Sequence, residues 1–401
     1  MAEARRTVVL AGTLIDGTGA EPLEKAAVVI EDGRFTEVGP QSKVKVDGTT
    51  DHVLDLSDRV VLPGLMDAHC HLYHMYRNYY DENTVAFVAR AMQNAVMWLE
   101  MGVTTVREIG TRENLDLGLR DAIAAGLVRG PRIFASGTAV CATGGGPVLD
   151  APRRFVFEIT GADEARRVVR KQLRAGVDFI KLFTTAGAPS GRPEMTYEEI
   201  QAATEEVHKA GKHVAAHAMC TEGILNCLRA GVNTIEHGNG VNEECVALMV
   251  KQGAYLVPTL SITYSMAYRG ERWNTPQSVV EFARGELPGL MAGVRLAREA
   301  GVKIAAGTDP PRLDTVPMEC AVLVEAGLTP MEAIVAATRR GAEIVGREED
   351  FGTVQPGRRA DLAGYGVNPL DDITVLQRAE LVMKDGVVVK DGLGRLAASA
   401  A

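Results

Sequence analysis

Hydrophobic positions in this chain follow two different periods. At the two ends they fall in short β-rich runs separated by Asp-Gly pairs. Residues 26–39, AAVVIEDGRFTEVG, read as strand, Asp32-Gly33 turn and strand; residues 380–393, ELVMKDGVVVKDGL, repeat the pattern around Asp385-Gly386. Asp-Gly between such runs predicts a hairpin, because a type I′ turn needs positive φ at both central residues. Hairpins at both termini predict one small β-sandwich domain assembled from residues 1–62 and 352–401.

Between them, residues 63–351 alternate β-rich runs with helical stretches. The predicted strands are 64–71 (GLMDAHCH), 104–110 (TTVREIG), 132–137 (RIFASG), 179–183 (FIKLF), 213–218 (HVAAHA), 234–238 (TIEHG), 255–260 (YLVPTL) and 303–309 (KIAAGTD). Amphipathic segments such as ADEARRVVRKQLRAG and TYEEIQAATEEVHKAG lie between them and end in Gly, a common helix stop. Eight strands in strict alternation with helices predict an α/β fold of the TIM type, a (β/α)₈ barrel. The competing fold, a doubly wound open sheet, lacks a GxGxxG after the first strand.

Composition narrows the function. The 401 residues are 46% hydrophobic and carry a formal net charge of −9, enough for a large core and without a basic stripe. This excludes nucleic acid and anionic membrane as expected partners. No window approaches a transmembrane span or a signal peptide, and the six cysteines form no CxxC pair. A reducing, cytoplasmic setting follows as the expectation.

The histidines carry the chemistry. There are eight in the chain, and His69 and His71 stand at i and i+2 on the first barrel strand. Strand alternation points both to one face and Cys70 to the other, so the pair can chelate a metal or form part of a polar active site. Active sites of such barrels lie at the C-terminal ends of the strands. Strand 4 holds Lys181 within an apolar run, where an unpaired ammonium is costly. Strand 5 brings His217, strand 6 ends in His237 and strand 8 ends in Asp309. Five of the eight strands thus deliver a metal-ligand type or an anomalous lysine to one rim.

This set, with GTLIDGTG (12–19), VLPGLMDAHCH, FIKLF, AAHA, IEHG, AGTD and PGRRADLAGY (356–365), resembles the amidohydrolase superfamily over essentially the whole chain. Within it the chain is most similar to the group of imidazolonepropionase and Xaa-Pro dipeptidases, some of whose members hydrolyse ochratoxin-like amides, carbamates and phenylureas. The resemblance implies a metal-dependent hydrolase that cleaves an amide-type C–N bond of a small-molecule substrate by attack of a metal-bridging hydroxide. It implies two divalent ions, Zn²⁺ first and Co²⁺, Mn²⁺ or Fe²⁺ as alternatives, with His69, His71, Lys181 and Asp309 at one and Lys181, His217 and His237 at the other. It also implies that Lys181 is carbamylated, that Asp309 shuttles the proton and that the protein is a homo-oligomer. A cyclic-amide hydrolase of the imidazolonepropionase type and a non-catalytic scaffold are the alternative readings; a scaffold would have lost ligands, and all six are present.

Substrate residues come from two loops. In the glycine-rich loop CATGGGPVLDAP (141–152), Gly146 stands where similar dipeptidases carry a carbonyl-holding histidine, which implies a wider or more apolar pocket. The segment SITYSMAYRGERWNTPQ (261–277), read as a lid loop, offers Tyr264 to hold the substrate carbonyl, with Tyr268, Arg269 and Arg272 beside it. His74, in the loop leaving strand 1, is a surface residue or a substrate contact. His208, His213 and Cys220 read as structural.

Overall fold

A computed structural model describes residues 6–47, 50–73, 83–146, 155–187, 191–273, 275–309 and 315–394, with the side chains of 272 and 273 excepted. His74 and the Arg272 side chain lie outside the described residues.

The termini build one mixed sheet. Strands β1 (Thr7–Leu14), β2 (Leu23–Glu31), β3 (Arg34–Pro40) and β4 (His52–Pro63) come from the N-terminal part; β15 (Leu362–Tyr365), β16 (Leu381–Lys384) and β17 (Val387–Asp391) come from the C-terminal part. Their order is β17-β16-β15-β4-β1-β2-β3. Both hairpin turns form as the Asp-Gly pairs predict: φ is 50° at Asp32 and 74° at Gly33, 49° at Asp385 and 77° at Gly386. The two turns meet tip to tip. A Cβ on Gly33 would lie 2.8 Å from the Asp385 carbonyl oxygen, so glycine is required there by packing as well as by φ. Val9, Ala11, Val28, Ile30, Leu54, Leu56, Leu362 and Leu381 share one core under this sheet.

All eight predicted barrel strands form. They are β5 (Leu65–Cys70), β6 (Val103–Glu108), β7 (Arg132–Ala135), β10 (Ile180–Phe183), β11 (Val214–Ala218), β12 (Thr234–His237), β13 (Tyr255–Val257) and β14 (Lys303–Ile304). Two further strands, β8 (Ala139–Ala142) and β9 (Val156–Ile159), flank the glycine-rich loop. Every pairing is parallel, in the orders β5-β6-β7 and β14-β13-β12-β11-β10-β8-β9. Past β14 the chain hydrogen-bonds to β5: the Ala68 N–H donates to the Ala306 carbonyl, and the amides of Thr308 and Asp309 donate to the His69 carbonyl. The intervening helices start and stop by local rules. Thr196 and Glu199 form a reciprocal capping box at the head of the Tyr197–Lys209 helix, and Gly176, at φ 93°, ends the Ala162–Ala175 helix.

One expected element differs. The segment read as a lid loop after strand 7 is an α-helix, Leu260–Arg269, followed by a 3₁₀ turn. Its mixture of β-branched and polar residues hides a helical stripe. Tertiary contacts supply what the sequence lacks: the buried carboxylate of Glu319 accepts the N–H groups of Leu260 and Ser261, and Ala267 packs against Ala283 and Leu287.

Candidate metal centre

Strand geometry gathers His69, His71, Lys181, His217, His237 and Asp309 at one end of the parallel strands. Strands β10, β11 and β12 run in register, with Phe183 opposite His217 and His217 opposite Glu236. The ring centroids of His217 and His237 are 4.5 Å apart, those of His69 and His237 5.0 Å, and those of His69 and His71 5.5 Å. Asp309 Oδ1 lies 3.4 Å from Nε2 of His71 and 3.7 Å from Nε2 of His69. One donor atom from each of these three residues falls within 4.8 Å of the others, compact enough for a shared metal ion.

Burial dominates the electrostatics of the cluster. Lys181 is 1% exposed, and its Nζ has no hydrogen-bond partner among the described residues. Burial lowers its pKa to about 8, against the pull of Glu236 and Asp309. Burial, then the nearby Lys181 charge, lowers His217 to about 3. His69 and His237 lie well below their ordinary range, and His71 is lowered, in each case chiefly by burial. Neutral imidazoles keep a lone pair free, as metal ligation requires. His217 Nε2 is also buried without a partner among the described residues. Nitrogen and oxygen donors with two orphaned nitrogens fit divalent cations.

Several supporting groups gave little signal in the sequence. Glu236, fully buried beside His237, sits 2.8 Å from His69 Nδ1; its other oxygen accepts from Arg107 at 2.6 Å and Thr234 at 2.6 Å. Arg107 reaches it from β6, so a buried ion pair spans from strand 2 to strand 6. Asp67 joins the first strand to the last: it accepts from Thr308 Oγ1 at 2.6 Å, the Thr308 amide and Trp98 Nε1. Burial raises its pKa to about 6. Thr259 Oγ1 lies 2.8 Å from His237 Nδ1. The readable trace of Glu236 and Arg107 was a charged residue within a predicted barrel strand.

The expected substrate residues are less tightly gathered. The Tyr264 hydroxyl is directed to Glu325 Oε1 at 3.4 Å, and its ring packs on Tyr268, which is 64% exposed. Arg269 Nη2 meets Met318 Sδ at 3.7 Å. Gly146 has φ 128° and donates its N–H to Glu194; among the described residues a Cβ there would meet only Cys141 Sγ, at 3.9 Å. His208 bonds Asn233 and His213 bonds the Ile344 carbonyl, as structural residues do. Cys70 is buried in the main core, and Cys220 accepts from the Gly223 amide at the head of the Thr221–Arg229 helix.

Comparison with known proteins identifies the family. The sequence profile of the amidohydrolase family matches residues 60–389. Ochratoxinase of Aspergillus niger is 30% identical over 423 residues, covering 95% of this chain and 85% of that protein. Its crystal structure superposes with a TM-score of 0.83 at 28% identity, covering 100% of this chain and 99% of that one. The crystal structure of a Xaa-Pro dipeptidase with methionine bound in its active site superposes with a TM-score of 0.87 at 32% identity, over 96% of this chain and all of that one. Imidazolonepropionase of Cutibacterium acnes is 28% identical over 375 residues, 85% of this chain and 83% of that protein. The chain therefore belongs to the amidohydrolase family, and it is a hydrolase of carbon–nitrogen bonds.

Proposed function

We propose that this enzyme hydrolyses an amide-type bond with a bulky, aromatic group beside the scissile carbonyl, using two divalent cations, of which Zn²⁺ suits the donor set best. The observation that carries this reading is the cluster itself: six ligand-type side chains, two of them with buried nitrogens left unpartnered. His69, His71, Lys181 and Asp309 would hold one ion; Lys181, His217 and His237 would hold the other. Lys181 does so as a carbamate, formed when its neutral amine adds to carbon dioxide and releases a proton. That replaces a buried amine without a hydrogen-bond partner by an anion having two oxygens. When bound, the ions polarise the scissile carbonyl and lower the pKa of water.

The chain's own residues supply the rest. Asp309, at the open side of the cluster with 24% of its side chain exposed, takes the proton of the attacking water and passes it to the departing amine. Glu236 and Thr259 orient the imidazoles, and burial keeps those imidazoles neutral. Gly146 carries no side chain and a Cβ there would make only an ordinary contact with Cys141 among the described residues, which favours a bulky substrate, and the similarity to ochratoxinase supports the same class. Tyr264, Tyr268, Arg269 and Arg272 belong to the helix and turn on the rim, and we assign them to substrate contacts there.

The wider architecture follows the same reading. The backbone hydrogen bonds from Ala68, Thr308 and Asp309 support closure of the eight parallel strands into a barrel spanning 63–351. The core shared by β1, β2, β4, β15 and β16 supports a sandwich-like curl of the terminal sheet, formed by 1–62 and 352–401. Six unpaired cysteines, five of them buried, suit a reducing cytoplasm. Among the described residues no helix is long and apolar enough to cross a membrane.

The test is a hydrolysis screen with Zn²⁺, Co²⁺ or Mn²⁺ supplied, across N-acyl aromatic amino acids, aryl amides, carbamates, phenylureas and small dipeptides such as Ala-Pro. Higher kcat/KM on the aromatic amides is the expected result. Ordinary peptidase efficiency on Ala-Pro with no cleavage of bulky amides would overturn the substrate class.

A further inference from the structure

Thr259 breaks two local rules at once. It is a β-branched residue at φ 48°, a conformation that such side chains avoid because Cβ crowds the following carbonyl. It also occupies the N-cap of the Leu260–Arg269 helix without capping it, since its side chain makes no hydrogen bond to that helix. A threonine at an N-cap ordinarily accepts from the second or third amide of the helix. Here the hydroxyl points the other way and meets His237 Nδ1 at 2.8 Å, while the residue is 1% exposed.

The capping has been transferred to a different element. Glu319, fully buried in the Val316–Glu325 helix, accepts the Leu260 amide at 3.0 Å on one oxygen and the Ser261 amide at 2.7 Å on the other. With those amides satisfied, the helix makes no demand on the threonine hydroxyl.

We propose that Thr259 is a positioning residue for His237, and that Glu319 frees it for that role by capping the helix in its place. Oγ1 accepts the proton of Nδ1, which fixes the tautomer and leaves the Nε2 lone pair facing the cluster. The left-handed backbone is what aims the hydroxyl. His237 itself has φ 69°, so both members of the pair are held in strained backbone at the ends of adjacent strands. The proposal rests on the reading of His237 as a metal ligand.

The experiment is Co²⁺ titration of the chelated full-length protein, followed by isothermal calorimetry and the visible absorption of the bound ion. Four variants are compared with wild type: Thr259→Val, Thr259→Ser, Thr259→Gly and Glu319→Gln. Thr259→Val removes the acceptor at constant shape and should weaken one of two Co²⁺ sites by about 10–100-fold, with a changed absorption band. Thr259→Ser restores the hydroxyl and should restore affinity and spectrum. Thr259→Gly suits the backbone, so this variant should fold with a midpoint at least equal to wild type and still bind one ion weakly; it replaces the valine variant should that one not fold. Glu319→Gln should weaken the same site, by less. Wild-type affinity in Thr259→Val and Thr259→Gly, or equal impairment of Thr259→Val and Thr259→Ser, would overturn the proposal. His237→Ala separates the two readings. If it binds both ions as wild type does, the ligand assignment fails; if it loses one while the Thr259 variants lose nothing, only the positioning role fails.

Discussion

The terminal sheet and the candidate metal centre both use left-handed backbone at residues other than glycine, and they use it differently. In the sheet they include Asp32 and Asp385, each paired with a following glycine in a two-residue hairpin, and Lys25 within β2. Aspartate tolerates that conformation, and a type I′ turn calls for it. At the centre the residues are His237, Thr259 and Asp309, which close β12, follow β13 and lie beyond β14. No turn chemistry asks for a threonine there. Each of the three instead presents a side chain to the cluster, or to a member of it. The same contrast holds for charge. Around the hairpin tips Arg132, Arg359 and Arg34 are paired with Asp361, Asp385 and Asp350. At the centre Lys181 Nζ is buried without a hydrogen-bond partner among the described residues. The cluster thus combines left-handed backbone with a buried lysine that lacks a hydrogen-bond partner, whereas at the hairpin tips turn chemistry and ion pairs account for both features.

Two substitutions break the contrast from opposite sides. The larger effect is expected at the centre. Glu236→Gln leaves Arg107 buried without its carboxylate and should destabilise the metal-free protein by about 3–5 kcal/mol, measured by denaturant unfolding. Because His69 loses its Nδ1 acceptor, metal content should fall as well. A variant with wild-type stability and metal content would show that the ion pair is incidental. The smaller effect is expected at the hairpin. Gly33→Ala forces a Cβ into the Asp385 carbonyl at φ 74° and should cost about 1–2 kcal/mol, with full metal content and unchanged kcat/KM. Lost activity at wild-type stability would mean that the terminal sheet and the centre are not independent.

What could be read from the sequence divides along the same line. The hairpins were legible because Asp-Gly has one dominant local meaning. The six cluster residues were legible because histidine is rare in this chain, and because a lysine inside FIKLF violates the apolar pattern of a buried strand. The support for the site was not legible. Thr259 and Glu319 are 60 residues apart, and their division of labour exists only once two helices pack together. Glu236 and Arg107 were not singled out, because a charge in TIEHG or TTVREIG is ordinary and nothing local says that the two pair across the strands. The helix Leu260–Arg269 was read as a loop for a related reason: its N-terminal amides are satisfied by another element.

On the proposed reading, Lys181 and the five residues around it hold two metal ions that hydrolysis requires. That reading is tested most directly by metal analysis of the purified protein alongside activity, during chelation and stepwise return of Zn²⁺. Wild type should lose activity on chelation and regain it as occupancy approaches two ions per chain, while Lys181→Ala should bind less metal and stay nearly inactive, with partial recovery in short carboxylates. Full hydrolytic activity in the chelated, metal-free wild type, or full metal content and activity in Lys181→Ala, would contradict the account.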